Sequence, residues 1–295
     1  MVCTFKQAQN DSLKNSGAEM KHPVVLVTYA RPQHLKQVLS ALRQNGVELL
    51  YVFIDGSKGR ADAQRVQDVH HIVAGIQWTV PNIVASSTNL GLATSVTKAV
   101  DHVLARHETV ILLEDDCVPG PYFSAYMEAC LDLYRDDLDI MGVTGYTIPV
   151  PQTIRDCYSW DVYFSPRAGS WGWGTWRRAW DLHIRDIADV LQRTHDKGID
   201  NTQGGTDVVT YANQVLRDGR DIWTPSWILS VYLAGGQYVY PTVSHIRNIG
   251  WDGSGAHCGK SERYATPMAD TPSTRFPPGL VYDQAVVDNF RKYYK

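Results

Sequence analysis

Residues 110–119 read Val-Ile-Leu-Leu-Glu-Asp-Asp-Cys-Val-Pro. Four apolar residues run directly into three adjacent carboxylates, Glu114, Asp115 and Asp116. A short continuous apolar run is the mark of a strand buried on both faces. Like charges at the end of such a strand repel one another and lose hydration unless they face solvent or meet a cation. This strand therefore ends at a place suited either to water or to positive charge.

The same grammar recurs on both sides. Val24–Thr28 is an apolar run that stops at the turn Ala30-Arg31-Pro32, and Leu35, Val38, Leu39 and Leu42 then follow at helical spacing. Leu49–Ile54 stops at Asp55-Gly56-Ser57, a helical stretch covers about 60–75, and Ile83–Ser86 precedes Asn89-Leu90-Gly91. Val96, Val100, Val103 and Leu104 mark the next apolar helix face, and Thr109–Leu113 the next strand. Pro119 suits a first helical position, with Phe123, Met127, Cys130 and Tyr134 spaced for the helix behind it, and Ile140–Thr144 reads as a fifth strand. Strand, turn and helix repeated four times predict an α/β fold. The sheet would be doubly wound and mostly parallel, with helices on both faces. Ligands of such sheets bind beyond the carboxyl ends of the strands, which is where Arg31, Asp55, Asn89 and residues 114–116 fall.

Bulk properties narrow the function. The 295 residues are 44% hydrophobic and 20% charged, and the net charge of −3 gives no basic footprint for a nucleic-acid partner. No apolar run approaches the ~20 residues of a membrane span. The first 22 residues are polar, lack a signal-peptide core and read as a flexible arm. Cysteines 3, 117, 130, 157 and 258 form no CxxC and no metal-ligand spacing, which points to reduced thiols and a cytoplasmic location. Behind the arm, residues 23–150 form the periodic half, 151–261 a tryptophan-rich half and 262–295 a tail; 22–295 reads as one continuous domain. Neither a Walker-type loop nor a G-x-G-x-x-G follows the first strand. A phosphate-bearing ligand would then be neutralised by a divalent metal on carboxylate oxygens.

In order, V-V-L-V-T-Y-A-R-P, F-I-D-G-S, N-L-G-L-A and L-L-E-D-D-C-V-P-G-P-Y-F resemble the nucleotide-binding half of GT-A (Rossmann-like) glycosyltransferases. The likeness is to the family 2-type bacterial sugar transferases and to N-acetylglucosaminyltransferase I, whose metal motif is also E-D-D. It covers roughly 22–147 and resumes at 165–180 and 221–257. It implies transfer of a hexosyl or N-acetylhexosaminyl group from a UDP-sugar to a saccharide or glycolipid acceptor, inverting the anomeric centre, in surface-glycan biosynthesis. Arg31 would contact base or diphosphate, Asp55 the uracil, and Asn89 and Gly91 the nucleotide pocket. Glu114 and Asp115 would face sugar and ribose, and Asp116 would bind Mn2+ or Mg2+. The alternative for Asp116 is a helix N-cap before Pro119.

Eight of the nine tryptophans lie between Trp160 and Trp251, four of them within 171–180. Such a cluster is either a core of large rings or a set of aromatic faces for sugar. The resemblance puts Trp171, Gly172, Trp173, Gly174, Trp176 and Trp223 on the sugar side. A base must take the acceptor's proton. In the resembling enzymes it lies in a D-x-W-D-x-x-W-like stretch, but Asp221-Ile222-Trp223-Thr224-Pro225-Ser226-Trp227 carries Thr224 at the second acid. Asp221 is the first substitute and Asp207 the second; Asp221 otherwise closes the Arg217–Asp221 turn. In the glycine-rich 244–258 stretch, Arg247 would pair with the diphosphate and His257 would reach the metal. The tail's aromatic residues with Arg291, Lys292 and Lys295 suggest weak peripheral contact with a membrane surface. Two other readings stand beside the transferase. One is a glycan-binding module that has lost turnover; the other is a sugar-nucleotide nucleotidyltransferase, although Y-A-R-P-Q-H lacks the glycine and lysine such a loop needs.

Overall fold

The computed structural model describes residues 21–253 and 259–294; His257 and the amino-terminal arm up to residue 20 lie outside the described residues. Strands β1 (Val24–Thr28), β2 (Leu50–Ile54), β3 (Asn82–Ala85) and β4 (Thr109–Glu114) alternate with helices α1 (Pro32–Gln44), α2 (Arg60–Ala74) and α3 (Leu92–Leu104). β1 and β2 are buried at every position, and β4 at every position before Glu114. This is why each reads as an unbroken apolar run rather than an alternating one. Pro32 begins α1, where its fixed φ is helical and its missing N–H costs nothing. Leu35, Val38, Leu39 and Leu42 then turn one face onto the sheet.

Beyond β4 come the short strand β5 (Cys117–Pro119), helix α4 (Phe123–Leu133) and strand β6 (Ile140–Thr144). Pro119 is thus the end of a strand and not the start of a helix: β5 pairs antiparallel with β10 (Ile246–Asn248), joining Asn248 to Cys117. Strands β7 (Val162–Ser165), β8 (Trp173–Trp176) and β9 (Gln237–Pro241) complete one eight-stranded sheet in the order β3-β2-β1-β4-β8-β6-β9-β7. β1, β2, β3 and β4 are mutually parallel, as are β6 and β9, whereas β8 runs antiparallel between β4 and β6 and β7 antiparallel at the edge. The fold is therefore mixed α/β around a mostly parallel sheet, and strands from before and after residue 150 share that sheet.

The position of β8 corrects the expectation for the W-G-W-G-T-W segment. Trp173 and Trp176 are sheet core, 0% and 2% exposed, and Trp176 Nε1 donates to the Leu131 carbonyl at 3.1 Å. Gly174 passes under Met127 and the Val110 carbonyl. Gly172 is left-handed (φ 57) and pressed on Ile246 and Phe123, so a Cβ there meets both strain and a collision. All four are buried, and the glycines serve chain packing. Trp173 stacks on Trp223 at 5.1 Å, and Trp180 meets Trp227 at 5.0 Å. Trp173, Trp176, Trp180 and Trp227 form a core of large rings.

Helices α5 (Gln152–Arg155), α6 (Arg177–Trp180), α7 (Ile187–Asp196), α8 (Asp207–Asp218) and α9 (Thr224–Leu233) pack over the second half. Helix α10 (Gln284–Tyr293) closes the chain with Val286 and Phe290 buried, so those apolar side chains are spent on the protein and not offered to a membrane. No described helix is long and apolar enough to cross one.

Candidate functional site

A cleft of about 780 Å3 opens at the carboxyl ends of β1 and β4. Its floor answers the opening sequence. Asp115 Oδ2 accepts from Thr28 Oγ1 at 3.0 Å and Tyr29 N at 3.2 Å, tying the end of β4 to the end of β1. Arg31, at the mouth of α1, donates through Nη2 to Asp116 Oδ2 at 2.9 Å and sits with Nε 3.4 Å from Asp115 Oδ1. The cation that the acidic triplet calls for is, first, this guanidinium.

One guanidinium does not balance three carboxylates. Burial, then Asp116 and Asp115, push the Glu114 carboxyl up to about 8. Burial likewise lifts Asp115 to about 6 against the opposing pull of Arg31. Burial works against the charge on Arg31, but Asp116, Asp115 and Glu114 outweigh it and hold that guanidinium above its ordinary range. The floor thus carries a surplus of negative charge in a poorly solvated place, the environment that favours one more cation.

Asp116 is not a helix cap. Its Oδ2 is taken by Arg31, while among the described residues Oδ1 meets the weak Cys117 Sγ donor at 3.5 Å. Among the described residues no three His, Cys, Asp or Glu side chains are grouped to hold a metal ion. A hard divalent ion bound through one or two carboxylates, with phosphate and water as its other ligands, needs no such group, so the donor set fits Mn2+ or Mg2+ held jointly with a ligand.

Asp55 lines the cleft but is fully engaged. Oδ1 accepts from Gly56 N and Leu90 N, both at 2.8 Å, and Oδ2 from Asn89 Nδ2 at 2.9 Å and Gly91 N at 3.0 Å. The carboxylate builds the 89–91 turn, which Gly91 (φ 82) completes as the residue preceding α3. Asp221 is engaged at the same place: its Oδ2 accepts from Leu92 N at 2.5 Å and its Oδ1 from Ala93 N at 2.8 Å. It caps α3 from across the cleft, where the helix dipole favours a negative charge. Asp207, first residue of α8, forms a two-pronged pair with Arg167 at 2.7 and 2.9 Å. Its side chain remains 25% exposed. Arg167 in turn lies under the ring of Tyr294, 4.0 Å from its centroid.

Trp171 and Trp223 both line the cleft, Trp171 half-buried and Trp223 with 4% exposure. Arg247 does not. It is exposed on β10, and strand alternation turns its neighbour Asn248 to the cleft instead; the expected diphosphate contact is corrected on that ground. Sequence reading passed over Arg167, Trp251, Tyr264 and Tyr294, all on the cleft wall. Trp251 follows Gly250, whose backbone lies so close to Asp116 and Arg31 that a Cβ there would collide with the carboxylate. That contact brings the tryptophan beside the triplet.

No protein-family model matches the chain, and no curated protein matches it in sequence. Among solved structures, the mannosyltransferase PcManGT from Pyrobaculum calidifontis in complex with GDP-Man and Mn2+ aligns at a TM-score of 0.39 and 12% identity. The alignment covers 78% of this chain and 76% of that one.

Proposed function

We propose that the chain is a metal-dependent glycosyltransferase that uses a nucleotide-sugar donor, with UDP-sugar as the first candidate. The observation that carries this reading is the Arg31–Asp115–Asp116 floor. It is a cation-hungry carboxylate cluster at the carboxyl ends of parallel strands, opening on a cleft large enough for nucleotide and sugar together.

Arg31 anchors the diphosphate side, and Asn89 and the turn built by Asp55 shape the nucleotide side. Asp116 would hold the divalent ion, with His257 a second candidate ligand. When bound, the ion supplies Lewis-acid relief of the charge growing on the departing diphosphate. The transfer is proposed to invert the anomeric centre, which requires a carboxylate to receive the proton of the attacking hydroxyl. Asp221, which holds two backbone N–H groups of α3, and Asp207, which is paired with Arg167 on the cleft wall, are the candidates for that role, in this order. The acceptor side is taken to be a saccharide or glycolipid of surface-glycan assembly, and the transferred group a hexosyl or N-acetylhexosaminyl unit.

The test is thermal unfolding with UDP, GDP, CDP, ADP and dTDP, each with and without Mn2+. Ligand at 100 times its Kd stabilises by ~2.7 kcal/mol, on the order of 5 °C for a chain of this size. A shift for UDP only with Mn2+ is expected; no shift for any nucleotide overturns the reading. A glycan-binding module without turnover is the second reading, favoured by the engagement of both Asp207 and Asp221. Hydrolysis or transfer of a bound UDP-sugar decides against it.

A further inference from the structure

We propose that the cleft takes an acceptor of at least two sugar rings, laid along a wall that runs from Trp251 and Tyr264 to Asp207 and Tyr294. The inference deepens the glycosyltransferase reading and rests on it.

The wall has two contiguous stations. The first is aromatic. The Trp251 and Tyr264 rings lie 4.4 Å apart at 36°, and Trp171 sets its edge against Tyr264 at 5.3 Å and against Trp251 at 6.3 Å. All three are half-buried, with part of each ring left to the cleft. The other large tryptophan cluster, around Trp173 and Trp227, is closed inside the core. Faces of fixed aromatic rings suit the C–H faces of a sugar, since both are apolar in the middle and polar at the rim. Gly250 places this station directly beside Asp116 and Arg31, on the side of the diphosphate floor where transfer would occur.

The second station is polar. Asp207 and Arg167 present a planar carboxylate and a planar guanidinium locked together by two hydrogen bonds. Tyr294 covers the guanidinium, and its carbonyl accepts from Thr206 N at 3.0 Å. Such a pair receives and donates hydrogen bonds in one plane, as vicinal hydroxyls require. The stations are joined by rings: Tyr264 meets Tyr293 at 6.1 Å, and Tyr293 meets Tyr294 at 5.2 Å. Two unlike stations in sequence match a ligand longer than one ring. A monosaccharide would engage one station and leave the other bare.

The test titrates the full chain with chito-, cello- and malto-oligosaccharides of one to four units, with and without UDP and Mn2+. Binding is followed by saturation-transfer NMR and calorimetry. At least one series should tighten from one unit to two by about tenfold. Trp251→Ala should weaken the two-unit ligand about tenfold, Trp251→Phe should restore most of it, and the UDP–Mn2+ thermal shift should stay as in the wild type. Absence of binding in every series, affinity independent of length, or affinity untouched by Trp251→Ala each overturns the proposal. A UDP shift without saccharide binding removes this inference alone. Loss of both removes the functional reading with it.

Discussion

Asp221 Oδ1 accepts a hydrogen bond from the backbone N–H of Ala93 at 2.8 Å, across 128 residues of chain. The carboxylate that the motif offers as first candidate for the chemical base is therefore the cap of a helix in the other half of the sequence. Asp221→Ala should lower stability by ~1–2 kcal/mol, the usual loss for an N-cap. That corresponds to about 2–4 °C in Tm for a domain of this size, read by calorimetry. A variant with unchanged Tm and turnover reduced a hundredfold would assign the base to Asp221.

Removing Arg31 leaves Glu114, Asp115 and Asp116 without their guanidinium. Burial and its acidic neighbours already push the Glu114 carboxyl up to about 8, and a carboxyl raised on folding stabilises at low pH and loses that contribution as pH climbs from its unfolded value through its folded one. Arg31→Met should therefore be destabilised more at pH 8 than at pH 5, as measured by urea titration at the two pH values. An equal loss at both would show that Arg31 stabilises by packing alone.

His245 is 1% exposed, stacked on Tyr126 at 4.5 Å, and bonded through Nε2 to Ser273 Oγ at 3.0 Å. Burial pulls its pKa down to about 4. The unfolded chain takes up the proton first, so stability is full above pH ~6.5 and falls as pH drops from there toward 4. At ~1.4 kcal/mol per unit this is about 3 kcal/mol. His245→Gln should flatten that acid limb in a series of denaturant titrations.

Trp173→Ala should cost ~3–5 kcal/mol, because a fully buried ring leaves a cavity that the strands around it cannot fill. Trp251→Ala, at a half-exposed ring, should cost much less. Denaturation midpoints of the two variants separate core tryptophan from cleft tryptophan directly.

The parallel strands and their helices were legible because burial on both faces leaves an unbroken apolar run, and helices leave a period near 3.6. The insertion of β8 was not. Trp-Gly-Thr-Trp carries a glycine and no alternation, and its partners Thr109 and Val143 are far away in the chain. The β5–β10 pairing spans even more residues, so Pro119 looked like a helix start when read locally. The rim positions Arg31, Asp55, Asn89 and Asp116 could be located from the strand ends. What Asp55 and Asp221 hold could not, because, apart from Asn89 Nδ2, their partners are backbone N–H groups, which every residue but proline carries. Arg247 failed by a single step of strand alternation, which a pattern without pairing information cannot set.

The place of β8 also bears on the order in which the chain can acquire its structure during synthesis. Until residues 173–176 leave the ribosome, β4 has a bare edge and β6 has no neighbour joining it to the first four strands. The half that reads most clearly as a unit therefore emerges with an open, largely apolar strand at its side, the kind of edge that recruits other chains. A fragment ending near residue 150 should aggregate where the whole chain is stable, and slowing translation between residues 150 and 176 should lower the yield of folded protein.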